Sequence, residues 1–204
     1  MSQANAEHAL PSDSSVTPRE EYQQSPFRIR AAQRKDLPGV VAVLLASFYP
    51  QAKATQWLYW LMRVGIQEDI KMRLKMPASQ YVCLVATLVD AQSAQAGAVV
   101  GTAEISQRPC ENWRFLPPKR AYLSNLSVNQ DYRRQGAAKQ LLKTCETVAL
   151  NWGFHRIYLH VMANNTAAHE LYRQAGYQRC EISNPILSGL GIRPKQWLLS
   201  KQIH

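Results

Sequence analysis

The run Leu126-Ser127-Val128-Asn129-Gln130-Asp131-Tyr132-Arg133-Arg134-Gln135-Gly136-Ala137-Ala138 decides how this chain is read. Tyr122 to Val128 reads as a strand. From Gly136 to Trp152, helical spacing puts Leu141, Leu142, Cys145, Val148 and Ala149 on one inner face, and Gly153 ends the helix. A strand thus passes through a short turn into a long helix. The first amides of such a helix have no acceptor within it and lie at the positive end of its dipole, so the turn invites phosphate. Gly136, Ala137 and Ala138 offer little side-chain obstruction to a bulky pyrophosphate. Arg133 and Arg134 add charge and fork geometry. An ordinary helix start with two solvated arginines shares these features, so the turn alone does not decide. The lysine of a P-loop and the GxGxxG of a dinucleotide fold are both absent.

Working outward, Arg156 to Met162 reads as a strand. Asn164-Asn165-Thr166 opens a short helix, Thr166 to Gln174, closed by Gly176. Tyr177 to Ile182 and Gln196 to Ser200 complete a sheet. Upstream, Phe27-Arg28-Ile29-Arg30 alternates as a short strand, and Asp36 to Phe48 has helical apolar spacing that stops at Pro50. Ala54 to Lys75 is a second helical stretch, carrying Trp57, Leu58, Trp60, Leu61, Val64, Ile70 and Leu74, with Gly65 as a place to split or kink. Tyr81 to Val89 and Ala98 to Ser106 form a hairpin around a polar loop of residues 90–97, and a Pro-containing connection (Pro109, Pro117, Pro118) follows. The expected order is β-α-α-β-β-β-α-β-α-β-β, a mixed sheet with helices on its faces. Residues 1–25, rich in Ser, Gln, Pro and acids, read as a disordered tail, and 26–204 as one domain without internal repeats.

Composition narrows the partners. The 24 Lys and Arg against 14 Asp and Glu give a net charge of +10, which suits an anionic partner as well as a merely basic, solvated surface. There is no aromatic-rich basic stripe or nucleic-acid module signature, so nucleic acid is not a primary expectation. Cys83, Cys110, Cys145 and Cys180 form no CxxC pair and stand without a His cluster, so no metal is expected. They read as small core residues of a reducing compartment, with Cys110 the most exposed. No apolar run approaches the roughly 20 residues that span a bilayer. The first residues carry Glu7, Asp13, Glu20 and Glu21, unlike an organelle transit peptide, so a cytoplasmic protein is expected.

The turn, the strand after it and the Asn-containing helix together resemble the GNAT superfamily of acetyl-CoA-dependent N-acetyltransferases. The resemblance covers about residues 27–182 and is strongest over 121–177. The family's Arg/Gln-x-x-Gly-x-Gly/Ala signature grips the pyrophosphate of CoA and is matched by Arg133, Gly136 and Ala138. Its Asn-x-x-Ala-x-x-x-Tyr-x-x-x-Gly-Tyr/Phe signature is matched by Asn165, Ala168, Tyr172, Gly176 and Tyr177. The resemblance implies an α/β (α+β) fold: a mixed, mostly antiparallel twisted sheet of about seven strands, helices on both faces, splayed at the acetyl-CoA site. Acetyl-CoA would be the cosubstrate, held along Leu126, Ser127, Val128, Arg133, Arg134, Gln135, Gly136, Ala137, Ala138, Lys139, Asn164, Asn165, Thr166 and Tyr172.

Amine acetylation needs a neutral amine, a polarised thioester carbonyl and a proton for the departing thiolate. Free backbone amides near Leu126 to Val128 would polarise the carbonyl, while CoA's pantetheine arm pairs with the splayed strand. By resemblance Tyr172 is the acid that meets the CoA sulfur, and Asn165 contacts CoA or caps its helix. Many family members place a Glu base on the strand before the turn, and none occurs between Tyr122 and Val128. Alternation puts Tyr122, Ser124 and Leu126 on one face, and Tyr158, His160 and Met162 on one face of the next strand. Tyr122 and His160 could jointly hold a water that takes the amine proton, an arrangement similar to one class of N-terminal protein acetyltransferases. Glu104, one strand earlier, is the rival base, and a satisfied sheet histidine is the plain alternative.

The aromatic stripe Trp57, Tyr59, Trp60 reads first as core and second as an acceptor wall, with Asn184 to Arg193 as a loop opposite. The expected acceptor is a protein N-terminal α-amine, a lysine ε-amine or both, attacked directly in a ternary complex. A small amine and a non-catalytic CoA-binding module are the competing readings. The enzyme is expected as a monomer or homodimer with no membrane association.

Overall fold

Alternating apolar residues build a two-faced sheet, and each face is closed by its own helices. The computed structural model describes residues 25–48, 56–89, 97–109, 118–180 and 196–204, with backbone alone at 56–58. Nearly all of the expected tail, Cys110, Trp57's side chain and the loop 184–193 lie outside the described residues. The strands are β1 (Phe27–Ala31), β2 (Tyr81–Leu88), β3 (Val99–Pro109), β4 (Lys119–Val128), β5 (Arg156–Met162), β6 (Gln178–Arg179) and β7 (Gln196–Gln202). The helices are α1 (Leu37–Phe48), α2 (Gln56–Arg73), α3 (Ala137–Asn151) and α4 (Thr166–Gln174). The seven strands lie in the order β1-β2-β3-β4-β5-β7-β6. Every neighbouring pair is antiparallel except β4 and β5, the one parallel pair among the described strands. Parallel neighbours need a long crossover, and α3 supplies it.

Beneath α3, Leu84, Ala86, Ile105, Leu123 and Leu159 pack with Leu141, Leu142 and Cys145. On the opposite face Tyr81, Cys83 and Val85 meet Val40, Val41, Leu44 and Leu45 of α1 and Ile70 of α2. Burial raises the Cys145 thiol pKa and pushes that of Cys83 up to about 12, so both behave as inert core residues, as expected.

β4 pairs with β5 at only three positions, Ala121↔Ile157, Tyr122↔Tyr158 and Leu123↔Leu159. Beyond them β5 stays on β7 as far as Met162↔Gln196, while β4 stays on β3 as far as Val128↔Gly101. The two strands therefore part, and one edge of β4 from Ser124 to Val128 is left without a strand partner among the described residues.

Three local expectations are corrected. Glu104 faces Ser124 and Thr102 faces Ser127, so Asn125 and Leu126 share the space opposite Ala103 in a β-bulge, with Asn125 at φ 53°. The extra residue reverses alternation: Leu126 packs with Leu123 and Val128 rather than sharing the face of Tyr122. Ser127 instead turns its hydroxyl to Ser47 of α1. On α2 the inner face is Tyr59, Met62, Ile66 and Ile70, continued by Leu74, while Trp60 is 65% exposed and Leu61 and Val64 are also exposed. The helix is apolar on more than one side, so spacing alone did not fix which side turns inward. Finally, α2 runs unbroken through Gly65, where a side chain would meet open space.

Between β1 and α1, Asp36 accepts from Arg30 at 2.5 and 2.8 Å and from the Gln33 amide at 2.7 Å. The Arg30 hydrogen bond is the main reason its carboxyl is held below the usual aspartate range. A lowered folded-state pKa stabilises the fold above the unfolded pKa, near 4, and that contribution disappears as pH falls through the folded value. Thermal melts should therefore separate wild type from Asp36→Asn at pH 7, with the gap closing as pH drops below about 4.

Candidate active site

The strand-to-helix turn is built by its own sequence. Asn129 accepts from the Asp131 amide at 3.3 Å and starts a single 3-10 turn, Gln130–Tyr132. Arg133 folds back, its Nε donating to the Val128 carbonyl at 3.1 Å. Arg134 at φ 63° and Gly136 at φ 91° then reverse the chain into α3. Alternating left-handed residues turn successive amides to one side, making an anion-binding concavity. The first amide of α3 with an acceptor is that of Gln140, which donates to Gly136 at 3.1 Å. Among the described residues, the amides of 134–139 meet no acceptor. Arg133, Arg134, Gln135 and Lys139 are exposed around them. This turn fits a diphosphate.

The second motif is largely the framework of α4. Asn165 Oδ1 accepts from the Ala168 amide at 3.1 Å, so Asn165 is the helix cap, one of the two expected roles. Gly176 closes the helix at φ 85°, and Tyr177 packs its ring 5.6 Å from that of Tyr172. Asn164 and Thr166 flank the cap on the surface. Tyr172 is thereby fixed in the core under α3. Burial raises its phenol pKa well above the ordinary value, with Cys145 and Tyr122 adding to the effect, so it keeps its proton at physiological pH.

Tyr122 and His160 meet where β4 and β5 part: Tyr122 Oη lies 2.7 Å from His160 Nδ1. Tyr122 is buried and the imidazole exposed, so the pair joins the interior of the splay to solvent. Tyr122 Oη and His160 can share a proton or orient a water. Glu104 is differently placed. It is 0% exposed, with Oε2 taking Arg73 Nη1 at 2.5 Å and Oε1 taking Asn125 Nδ2 at 2.8 Å. Arg73 also binds Asp69 within α2. Glu104 thus ties α2 to the bulge, and both its oxygens are engaged.

Four contributors to this site were not legible as functional residues. Arg73 lay in a helix read for its apolar residues. Asn125 gave a usable signal, since Asn is depleted in strands and tolerates positive φ. Arg108 and Arg120 stack on Tyr122, at 3.9 and 6.0 Å from the ring centroid. A separate cleft of about 540 Å³ runs along β5, β7 and β6, touching Tyr158, Arg156, Ser200 and Gln202. It does not include Tyr122, His160 or Tyr172. Among the described residues, no cluster of His, Cys, Asp and Glu has the make-up of a metal site.

A turn suited to diphosphate, a strand edge beside it that no described strand pairs with, and a protonated phenol buried in the same core as Leu123 and Val128 of β4 make a site for a long thioester cosubstrate. Residues 49–177 match the Acetyltransferase (GNAT) family. The chain belongs to that family. It is an acetyl-CoA-dependent N-acetyltransferase, an acyltransferase rather than a binding module alone. It is 28% identical over 182 residues, 86% of this chain, to GCN5-related N-acetyltransferase 10, chloroplastic, of Arabidopsis thaliana, and spans 71% of that protein. It is 42% identical over 62 residues to GCN5-related N-acetyltransferase 4, chloroplastic, of the same plant, 30% of this chain and 21% of that one. The fold is shared with PaiA N-acetyltransferase of Thermoplasma acidophilum in complex with coenzyme A (TM-score 0.64, 15% identity, 86% of this chain and 98% of that one). It is shared also with Arabidopsis NAA60 in complex with a bisubstrate analogue (TM-score 0.62, 18% identity, 87% and 99%).

The Glu104 network generates a stability prediction for this GNAT enzyme. Removing one partner of a buried pair leaves a charge without compensation, so Arg73→Met should lower unfolding free energy by about 3 kcal/mol. Adding Glu104→Gln should recover a large part of that loss, measured as a double-mutant cycle in denaturant.

Proposed function

We propose that this enzyme acetylates primary amines of proteins or peptides, N-terminal α-amines, lysine ε-amines or both, by direct attack in a ternary complex. The Tyr122–His160 contact of 2.7 Å at the point where β4 and β5 part carries the reading. It supplies proton-accepting capacity on a solvent-facing side, where an amine on a large acceptor can arrive. Arabidopsis NAA60, with which the fold is shared, binds a bisubstrate analogue, which supports an arrangement in which both substrates are held together.

In this reading the amides and side chains of Arg133 to Lys139 bind the diphosphate of acetyl-CoA, with Asn164, Asn165 and Thr166 bordering it. The open edge of β4 at Leu126, Ser127 and Val128 pairs with the pantetheine arm, and an amide of the bulge polarises the thioester carbonyl. His160, with Tyr122, holds a water that accepts the amine proton as the carbon–nitrogen bond forms. Tyr172 gives its proton to sulfur as the carbon–sulfur bond breaks. Glu104 is set aside as the base, because both oxygens are already satisfied by Arg73 and Asn125.

Incubating the protein and acetyl-CoA with peptide libraries and cell extract, followed by mass spectrometry, should reveal acetylated peptide amines. Product confined to small amines overturns the protein-acceptor reading. Tyr172→Phe should lower kcat by about 100-fold with coenzyme affinity nearly unchanged, since acid–base groups contribute on that scale. Equal turnover removes Tyr172 as the acid. His160→Ala should flatten the acidic limb of the rate–pH profile, and an unaltered limb rules out the imidazole as base.

A further inference from the structure

Arg108 and Arg120 are cross-strand partners on β3 and β4, directly opposite each other. Like charges in that position repel, so the pairing costs stability unless something neutralises it. No described carboxylate does. Arg108 is exposed, and its only side-chain hydrogen bond among the described residues goes to the Ser106 hydroxyl at 3.3 Å. The Arg120 side chain makes no hydrogen bond to any described residue, and its Nε is buried without an acceptor. Glu104, four residues before Arg108 on β3, is already held by Arg73 and Asn125.

Both guanidinium groups are instead arranged around aromatic rings. Arg108 lies 3.9 Å from the centroid of Tyr122, and Arg120 lies 5.3 Å from that of Tyr158. Stacking fixes a guanidinium in place while leaving its edge N–H groups pointing outward, which is how such a group presents a fork to an anion. The ring beneath Arg108 is the one whose hydroxyl meets His160, so the cationic pair borders the point where the amine is to react.

We infer that Arg108 and Arg120 form a carboxylate-recognition site, and that the preferred acceptor carries an anionic group close to its reacting amine. The inference rests on the acetyltransferase reading of the Tyr122–His160 pair and adds to it the class of acceptor. The carboxylate belongs either to an acidic residue beside a peptide's amine or to a free amino acid. The shared chemistry is an amine with a nearby carboxylate, and a bidentate guanidinium contact is what selects it.

The test compares acceptors that differ in charge alone. With acetyl-CoA, kcat/KM is measured for a peptide beginning Met-Asp-Glu against one beginning Met-Asn-Gln, and for lysine against lysinamide. At least one acidic member should exceed its neutral partner by about tenfold, the scale of one charge-assisted hydrogen bond. In a protein carrying Arg108→Gln and Arg120→Gln, that ratio should fall to about twofold or less, mainly through KM, and added salt should erode it in the wild type. The single Arg108→Gln variant, altering an exposed side chain, should reduce the ratio on its own and serves if the double variant does not fold. Preference in the peptide arm assigns the carboxylate to an acidic residue, and preference in the lysine arm assigns it to a free amino acid. Equal rates within both pairs, or a preference that neither variant changes, overturn this inference while leaving amine acetylation intact. No turnover with any acceptor removes both.

Discussion

The parting of β4 from β5 after Leu123 and Leu159 is the constraint on which the rest of the site depends. A sheet normally satisfies every backbone donor and acceptor within it, so an interior strand edge left unpaired must have another partner or solvent. Here β5 is retained by β7 and β4 by β3, so neither strand can close the gap. The opening is built in by register. At its closed end sit Tyr122 and His160, and at its open end the Arg133–Gly136 turn.

Two devices hold this opening in shape. The bulge at Asn125 shifts β4 against β3, and the Glu104 carboxylate holds the Asn125 amide while taking Arg73 from α2. The helix α2 is thereby connected, through one buried carboxylate, to the backbone that borders the splay. On the other face the cap at Asn165 and the left-handed Gly176 fix α4, and so fix where Tyr172 lies. The rigid parts of the site thus come from packed elements on both faces of the sheet, as a site that must position two substrates requires.

Charge is arranged unevenly around the same opening. Arg133 and Arg134 surround the turn, and Arg108 and Arg120 surround Tyr122. The two cationic groups are separate, one at the turn into α3 and one where β3 and β4 are paired.

The sequence by itself determined the order of elements, the tight strand-to-helix turn ahead of α3 and the placement of Tyr172 on α4. Each depends on local signals: periodicity, a left-handed glycine, a cap and its partner three residues on. Tyr122 and His160 were also legible, because strand alternation carries face information across a parallel pair. Tertiary structure decided what local rules cannot express. One extra residue in β4 moved Leu126 to the other face, since alternation counts residues and a bulge miscounts them. The inner side of α2 was chosen by what α1 and β2 left to be covered, because the helix is apolar on more than one side. The partners of Glu104 and the facing of Arg108 with Arg120 required strands and helices distant in sequence to be brought together. Those contacts exist only once the sheet has chosen its register.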